Sequence, residues 1–419
     1  MLLDTKFFKK FTFYEILLLI SPLILILRPV VINFFCILLT FLFLYELVKK
    51  KNLDILKNET WIYFFLLFII YNILRGFFAI DAPLAVTKAI SLFKFIGLTL
   101  FIFLCVPVTK NLNSIIKFWV ILLILVCIDT LFQYYSGKDF FGFSNIDKRL
   151  TGPFGTEQIV GAYLAYISIP VIAYYSSKIK NFNFHNKLLL FSIYLLLLST
   201  IALSGERLGL IIFLSASILI FFSNLKLKSF IILLILIINI LLIYYYLDSH
   251  FNLRINEFFN TIYNFKDSPW GKLYHTGYLT FKSNIFFGVG LKNYNIFCET
   301  QLKDSLINLQ NAYECSTHPH NFYIEILSES GIIGFLLLSF TFWFFFLSII
   351  NKIKKLKDNK IFLEYKSLLY GNILILLIYF FPIKTSGRFF TTWNGFFFWF
   401  SLGVVLLIAK EIYKKNKQI

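Results

Sequence analysis

Residues 316–349 read STHPHNFYIEILSESGIIGFLLLSFTFWFFFLSI, and the second half of this stretch decides the class of protein. No charged residue occurs from Gly331 to Asn351. A helix rises about 1.5 Å per residue, so about twenty such residues cross the hydrocarbon core of a bilayer. The first half is different in kind. It sets His318 and His320 one residue apart, then Asn321, then Glu325 and Glu329 four apart on one helical face. Three roles are open to this polar head: a metal site, a catalytic base, or a loop ending where Asn321 caps a helix.

Apolar runs of similar length recur at about 11–27, 31–48, 61–80, 88–106, 116–135, 158–177, 188–203, 208–223, 229–247, 321–349, 365–382 and 393–410. The 419 residues are 58% hydrophobic and 15% charged, where soluble domains carry about 25% charged residues. The pattern predicts an all-α polytopic membrane protein of about twelve transmembrane helices. Nine helices fall in 1–247, a large loop with short helices fills 248–320, and three more follow in 321–419. The basic start MLLDTKFFKK leads into an apolar run with no small-residue cleavage site, which reads as an uncleaved first span.

A net charge of +18 fits nucleic-acid binding or the positive-inside rule, and its distribution favours the second. Alternate loops, from KFFKK (6–10) through NKIKKLKDNKIFLEYK (351–366) to KEIYKKNKQI (410–419), hold 24 lysines. Those loops and both termini are therefore expected to be cytoplasmic, with 248–320 on the far side. The six arginines, Arg28, Arg75, Arg149, Arg207, Arg254 and Arg388, avoid the lysine-rich loops altogether. Guanidinium is planar, always charged and binds phosphate oxygens in a two-pronged fork, whereas ammonium is a point charge. Lysine wherever any cation suffices, and arginine on one face only, points to a phosphate or carboxylate ligand on that face.

The far-side segments carry local signals. DKRLTGPFGTEQIVGAY (147–163) has a Gly-Pro turn beside Arg149, and STIALSGERLG (199–209) has a tight turn at Ser204-Gly205 with Glu206 and Arg207. A charged pair at membrane depth is a functional hypothesis, against the alternative that the two residues merely satisfy each other. In SPWGKLYHTGYLTFKSNIFFGVGLKNYNIF (268–297) an amphipathic helix is expected over 271–283, and Gly288-Val289-Gly290 reads as a turn for close backbone approach. PIKTSGRFFTTWNG (382–395) brings Lys384 and Arg388 to the same face. Cys298 and Cys315 are the only cysteines of the long loop, and a disulfide between them would staple the chain just before His318. A zinc site from Cys298, Cys315, His318 and His320 is the rival, without standard finger spacing.

Four stretches together, RLTGPFGTEQIVGAYLA (149–165), LSGERLGLIIF (203–213), YLTFKSNIFFGVGLKNY (278–294) and HPHNFYIEILSESGIIGFLLL (318–338), resemble the O-antigen ligase and polymerase superfamily of bacterial inner-membrane proteins. The resemblance covers about residues 145–400. It implies a GT-C-like membrane glycosyltransferase acting at the periplasmic face without metal or other cofactor. Its donor would be a glycan on undecaprenyl pyrophosphate, and its acceptor a lipid A core sugar or a second lipid-linked glycan. It further implies that Arg149 and Arg207 hold the pyrophosphate, that His320 is the base and that His318 is its neighbour. Arg388 belongs with the same cations. Relatives often carry an arginine shortly before the segment matching 278–294, where this chain offers Lys272 as a replacement. Pyrophosphate is an activated leaving group, so positioning and charge neutralisation are the main tasks. The chain has no Asp-x-Asp motif and no Walker loop, in keeping with a lipid-linked donor. A transporter of anionic solutes is the competing class. It needs charges near the membrane midplane, and Lys88, Lys94 and Asp129 are the few within spans.

Overall fold

Each of the twelve apolar segments is helical in the computed structural model, which describes residues 11–50, 54–57, 59–107, 111–146, 149–302, 315–353, 363–382 and 387–417. Lys384 lies outside these residues. The helices are α1 (Phe13–Ile24), α2 (Pro29–Lys50), α3 (Thr60–Gly76), α4 (Ala82–Ile90), α5 (Phe93–Cys105), α6 (Leu112–Ser136), α7 (Val160–Ser177), α8 (Phe184–Leu203), α9 (Arg207–Asn224) and α10 (Leu227–Leu247). The long loop contributes α11 (Ser249–Tyr263) and α12 (Pro269–Ser283), and α13 (Phe322–Ile353), α14 (Leu363–Tyr379) and α15 (Thr392–Lys417) follow. Among the described residues β-structure is limited to two isolated bridges.

Among the described residues, eight candidate spans are long and apolar enough to cross a membrane: α2, α4 together with α5, α6, α8, α9, α10, α13 and α15. The chain is a multi-pass membrane protein. Helices α1, α3 and α14 are apolar but shorter, and α7 has 18 residues, rich in tyrosine and serine and mostly buried.

Lipid tails are as apolar as leucine, so helices in a bilayer associate through close packing rather than through escape from water. The packing is tight here. A Cβ added to Gly209 of α9 would lie 2.6 Å from the carbonyl carbon of Gly161 in α7. Trp399 of α15 is fully buried, with its ring centroid 4.3 Å from that of Phe65 in α3, and its carbonyl accepts from the Thr99 hydroxyl of α5 at 2.9 Å. Burial grades outward from this centre: 78% of the α15 span is buried, but only 17% of the α10 span.

Two spans are interrupted. The segment expected at 88–106 begins earlier, because Asp81 accepts from the Leu84 amide at 2.9 Å and starts α4, and the chain then breaks at Ser91-Leu92. Helix α13 breaks at Gly331, whose φ of 63° and ψ of −171° are not helical. Neighbouring backbone fills the break, since Ile332 donates to the Ile285 carbonyl at 2.8 Å and Ile333 to that of Phe286 at 3.3 Å. A Cβ on Gly331 would lie 2.3 Å from the Phe286 carbonyl oxygen. The break at Gly331 therefore receives the backbone of the 285–288 loop.

Candidate active site

The segments that the charge pattern assigns to the far side meet at one end of the bundle. Trp393 donates to the Leu25 carbonyl at 3.0 Å, Asp81 to the Asn293 side chain at 2.7 Å, and Leu150 to the Ser204 carbonyl at 3.2 Å. Two groups of charged side chains form there.

The first group surrounds the N-terminus of α9. Gln133 of α6 accepts from the amides of Thr151 and Gly152, both at 2.9 Å, and so fixes the turn that carries Arg149. Arg149 donates to Gln158 at 3.2 Å. Arg207 is the first residue of α9, a place where the helix dipole disfavours a cation. Glu257 of α11 offsets this, accepting from Arg207 at 3.2 Å and from Arg254 at 3.3 Å. Arg149 and Arg254 both lie close enough to act on the charge of Arg207. Three guanidiniums thus share one helix N-terminus, and amide N–H groups at such an end already favour anions. Glu206 does not pair with Arg207 but turns to accept from the Ala162 amide of α7. Burial pushes its carboxyl up to about 8, against the pull of that amide and of Arg149.

The second group surrounds the start of α13. Asn321 caps the helix, accepting from Tyr323 at 3.0 Å and Ile324 at 3.2 Å. His320 has a φ of 54°, which turns the chain sharply into that cap. The two imidazoles pack against each other, with centroids 3.8 Å apart at a tilt of 35°. Trp270 of α12 meets His320 edge-on at 4.8 Å, and Thr317 bonds His318 Nδ1 at 2.8 Å. Helix α12 reaches this position because Gly277 lets it close on Ile324 and Pro319. Beneath the histidines is a buried ionic layer. Arg388 donates to Glu329 at 3.0 Å and to the Thr317 carbonyl, and Glu325 accepts from the Phe389 amide at 3.0 Å. Lys88 donates to the Phe390 carbonyl at 2.6 Å. Lys292 completes the layer, and its pKa is lowered by burial and then by the charge of Arg388, against the pull of Glu329 and Glu325.

The expected residues therefore divide. Arg149 and Arg207 stand together with Arg254, while His318 and His320 stand with Arg388. Both terminal nitrogens of Arg388 are engaged under the histidines rather than turned toward the other arginines. Lys272, half-buried on α12, makes no ion pair among the described residues. Arg254 was missed as a site residue, although it is one of the six arginines confined to the far side. Lys292 was also missed, because only the folded chain brings its segment to α13. Cys298 and Cys315 form a disulfide with Cα atoms 5.7 Å apart, which removes both thiols from the four-ligand zinc set. Among the described residues no group of three or more His, Cys, Asp or Glu side chains could hold a metal ion.

A multi-pass membrane protein with a guanidinium cluster and a histidine pair at one end is thus defined. Residues 192–339, about a third of the chain, match the family model described as O-antigen ligase. The match contains Arg207, Arg254, Lys272 and both histidines, while Arg149 and Arg388 lie outside it. No curated protein matches the chain.

Proposed function

We propose that this protein is a periplasmic-face glycosyltransferase that moves a glycan from undecaprenyl pyrophosphate to a sugar of the lipid A core, as an O-antigen ligase. The observation that carries this reading is the sharing of one bundle end by the Arg149, Arg207 and Arg254 cluster and the His318–His320 pair. The guanidiniums and the α9 amide end bind the pyrophosphate. His320 takes the proton of the acceptor hydroxyl. The hydroxyl oxygen then forms a bond to the anomeric carbon as the bond from that carbon to the pyrophosphate oxygen breaks. The electron pair leaves with undecaprenyl pyrophosphate, whose charge the arginines hold, so no divalent ion is needed. One direct displacement inverts the anomeric centre. Arg388 is a positioning residue, holding the chain at Thr317 just before the histidines. Lys88, Lys94 and Asp129 each serve a local hydrogen bond, which weighs against a transport path.

The full reading counts twelve spans, with lysine-rich loops and both termini in the cytoplasm of a bacterial inner membrane. The test is deletion of the gene with lipopolysaccharide profiling, complemented by His320→Ala and Arg207→Ala. Loss of all long glycan with lipid-linked polymer accumulating identifies the ligase. A single repeat on the core identifies a polymerase using the same chemistry. Normal transfer by His320→Ala in membranes would overturn the mechanism, and added chelator is expected to change nothing.

A further inference from the structure

We infer that Lys292 binds a phosphate group carried by the acceptor, in a subsite on the histidine side and apart from the arginine cluster. The inference rests on the transfer reaction proposed above and adds to it the chemistry by which the acceptor is recognised.

Lys292 and His320 are the two non-glycine residues with positive φ among the described residues, at 65° and 54°. A lysine in this region is strained, and such strain persists only where surrounding structure imposes it. The surroundings here are explicit. On one side Val289 donates to the Ser328 carbonyl at 2.9 Å and Gly290 to the Glu329 carbonyl at 2.8 Å. On the other, fully buried Asn293 accepts from the Asp81 amide at 2.7 Å and donates to the Asp81 carbonyl at 3.2 Å. Position 292 is pinned between two anchors in a conformation that glycine would adopt without strain.

The side chain explains the choice of lysine. Its half-buried ammonium makes no ion pair or hydrogen bond among the described residues. The nearby carboxylates are engaged elsewhere, Glu329 by Arg388 and Glu325 by the Phe389 amide. Among the described residues, Lys88, Arg388 and Lys292 all act on the charge of Glu325, Glu329 or both, so cations outnumber carboxylates in this layer. A partly desolvated surplus cation favours the binding of an anion from outside the chain. Arg388 ties this layer to Thr317, so the anion lies beside the histidines that meet the acceptor. A phosphate there has two sources: a phosphorylated lipid A core, or the pyrophosphate of a lipid-linked repeat.

Binding in nanodiscs of zwitterionic lipid tests this without turnover, and so separately from the His320→Ala test of the reaction. The probes are lipid A–core, intact or phosphatase-treated, and undecaprenyl-pyrophosphate repeat, the latter in an Arg207→Ala background that disables the donor site. Lys292→Gly keeps the backbone conformation and removes the charge, and it is expected to weaken one probe about tenfold, in line with a lost charge-assisted hydrogen bond. Lys292→Arg is expected to stay within about twofold, since it keeps the cation. A loss seen with intact but not phosphatase-treated lipid A–core assigns the phosphate to the core. A loss seen with the lipid-linked repeat assigns it to the carrier. Unchanged binding of both probes by Lys292→Gly, or an equal loss with phosphatase-treated acceptor, overturns the inference.

Discussion

Glu206 shows how much one side chain's surroundings decide. Its unfolded pKa is near 4.3, and burial raises the folded value to about 8. Folding therefore binds a proton, and stability falls as pH rises between these values and levels off above them. Glu206→Gln stays neutral and can still accept from Ala162. Its melting temperature in detergent is expected to exceed that of the parent by a margin that widens from about pH 5 to pH 8 and is constant beyond. Parallel curves would show that the carboxyl ionises freely in the fold. The protonated form also leaves the field of the neighbouring guanidiniums undiminished at neutral pH. At this scale the sequence was readable in part. The SGER turn marked both Glu206 and Arg207, but adjacent side chains at a helix start point apart, so their partners in α7 and α11 could not be read. Arg254 had no motif around it, and only Glu257 joins it to Arg207.

Between elements, backbone approach is the controlling quantity. Gly209→Val would force α9 away from Gly161 of α7 and is expected to cost about 1–3 kcal/mol, read as a lower melting temperature. Since α9 presents Arg207, transfer should fall with it, and an unchanged variant would mean that the contact is loose. The disulfide acts on a different element, closing the chain between Cys298 and Cys315 two residues before Thr317. Cys298→Ser with Cys315→Ser is expected to lose up to about 3 kcal/mol and to inactivate faster on heating. Added reductant should bring the parent to the same behaviour and leave the double variant unaffected. Helix positions were legible because apolar runs and caps are local features. The break in α13 was not, because the apolar run continues across Gly331 and the cause is a loop forty-odd residues earlier in the chain, at 285–288.

Across the whole molecule, the split between lysine-rich and arginine-bearing loops stands in the sequence itself, and under the positive-inside rule it assigns each loop a side of the membrane. It predicts that a cysteine at Asn264 reacts with an impermeant maleimide in intact spheroplasts, whereas one at Asn183 reacts only after lysis. Cys36, Cys105 and Cys127 are buried and give little background. Labelling of both sites from outside would invert or break the proposed topology. The thinly covered helix α10 has a mechanical meaning on this scale. It touches the bundle along a narrow strip, yet α11, with Arg254 and Glu257, continues directly from its end. It is a mast standing in lipid, and a helix so placed tilts to match the thickness of its bilayer. One wall of the proposed anion site is therefore mounted on the helix least covered by the rest of the bundle, and donor affinity should vary with acyl-chain length in reconstituted vesicles more than acceptor affinity does.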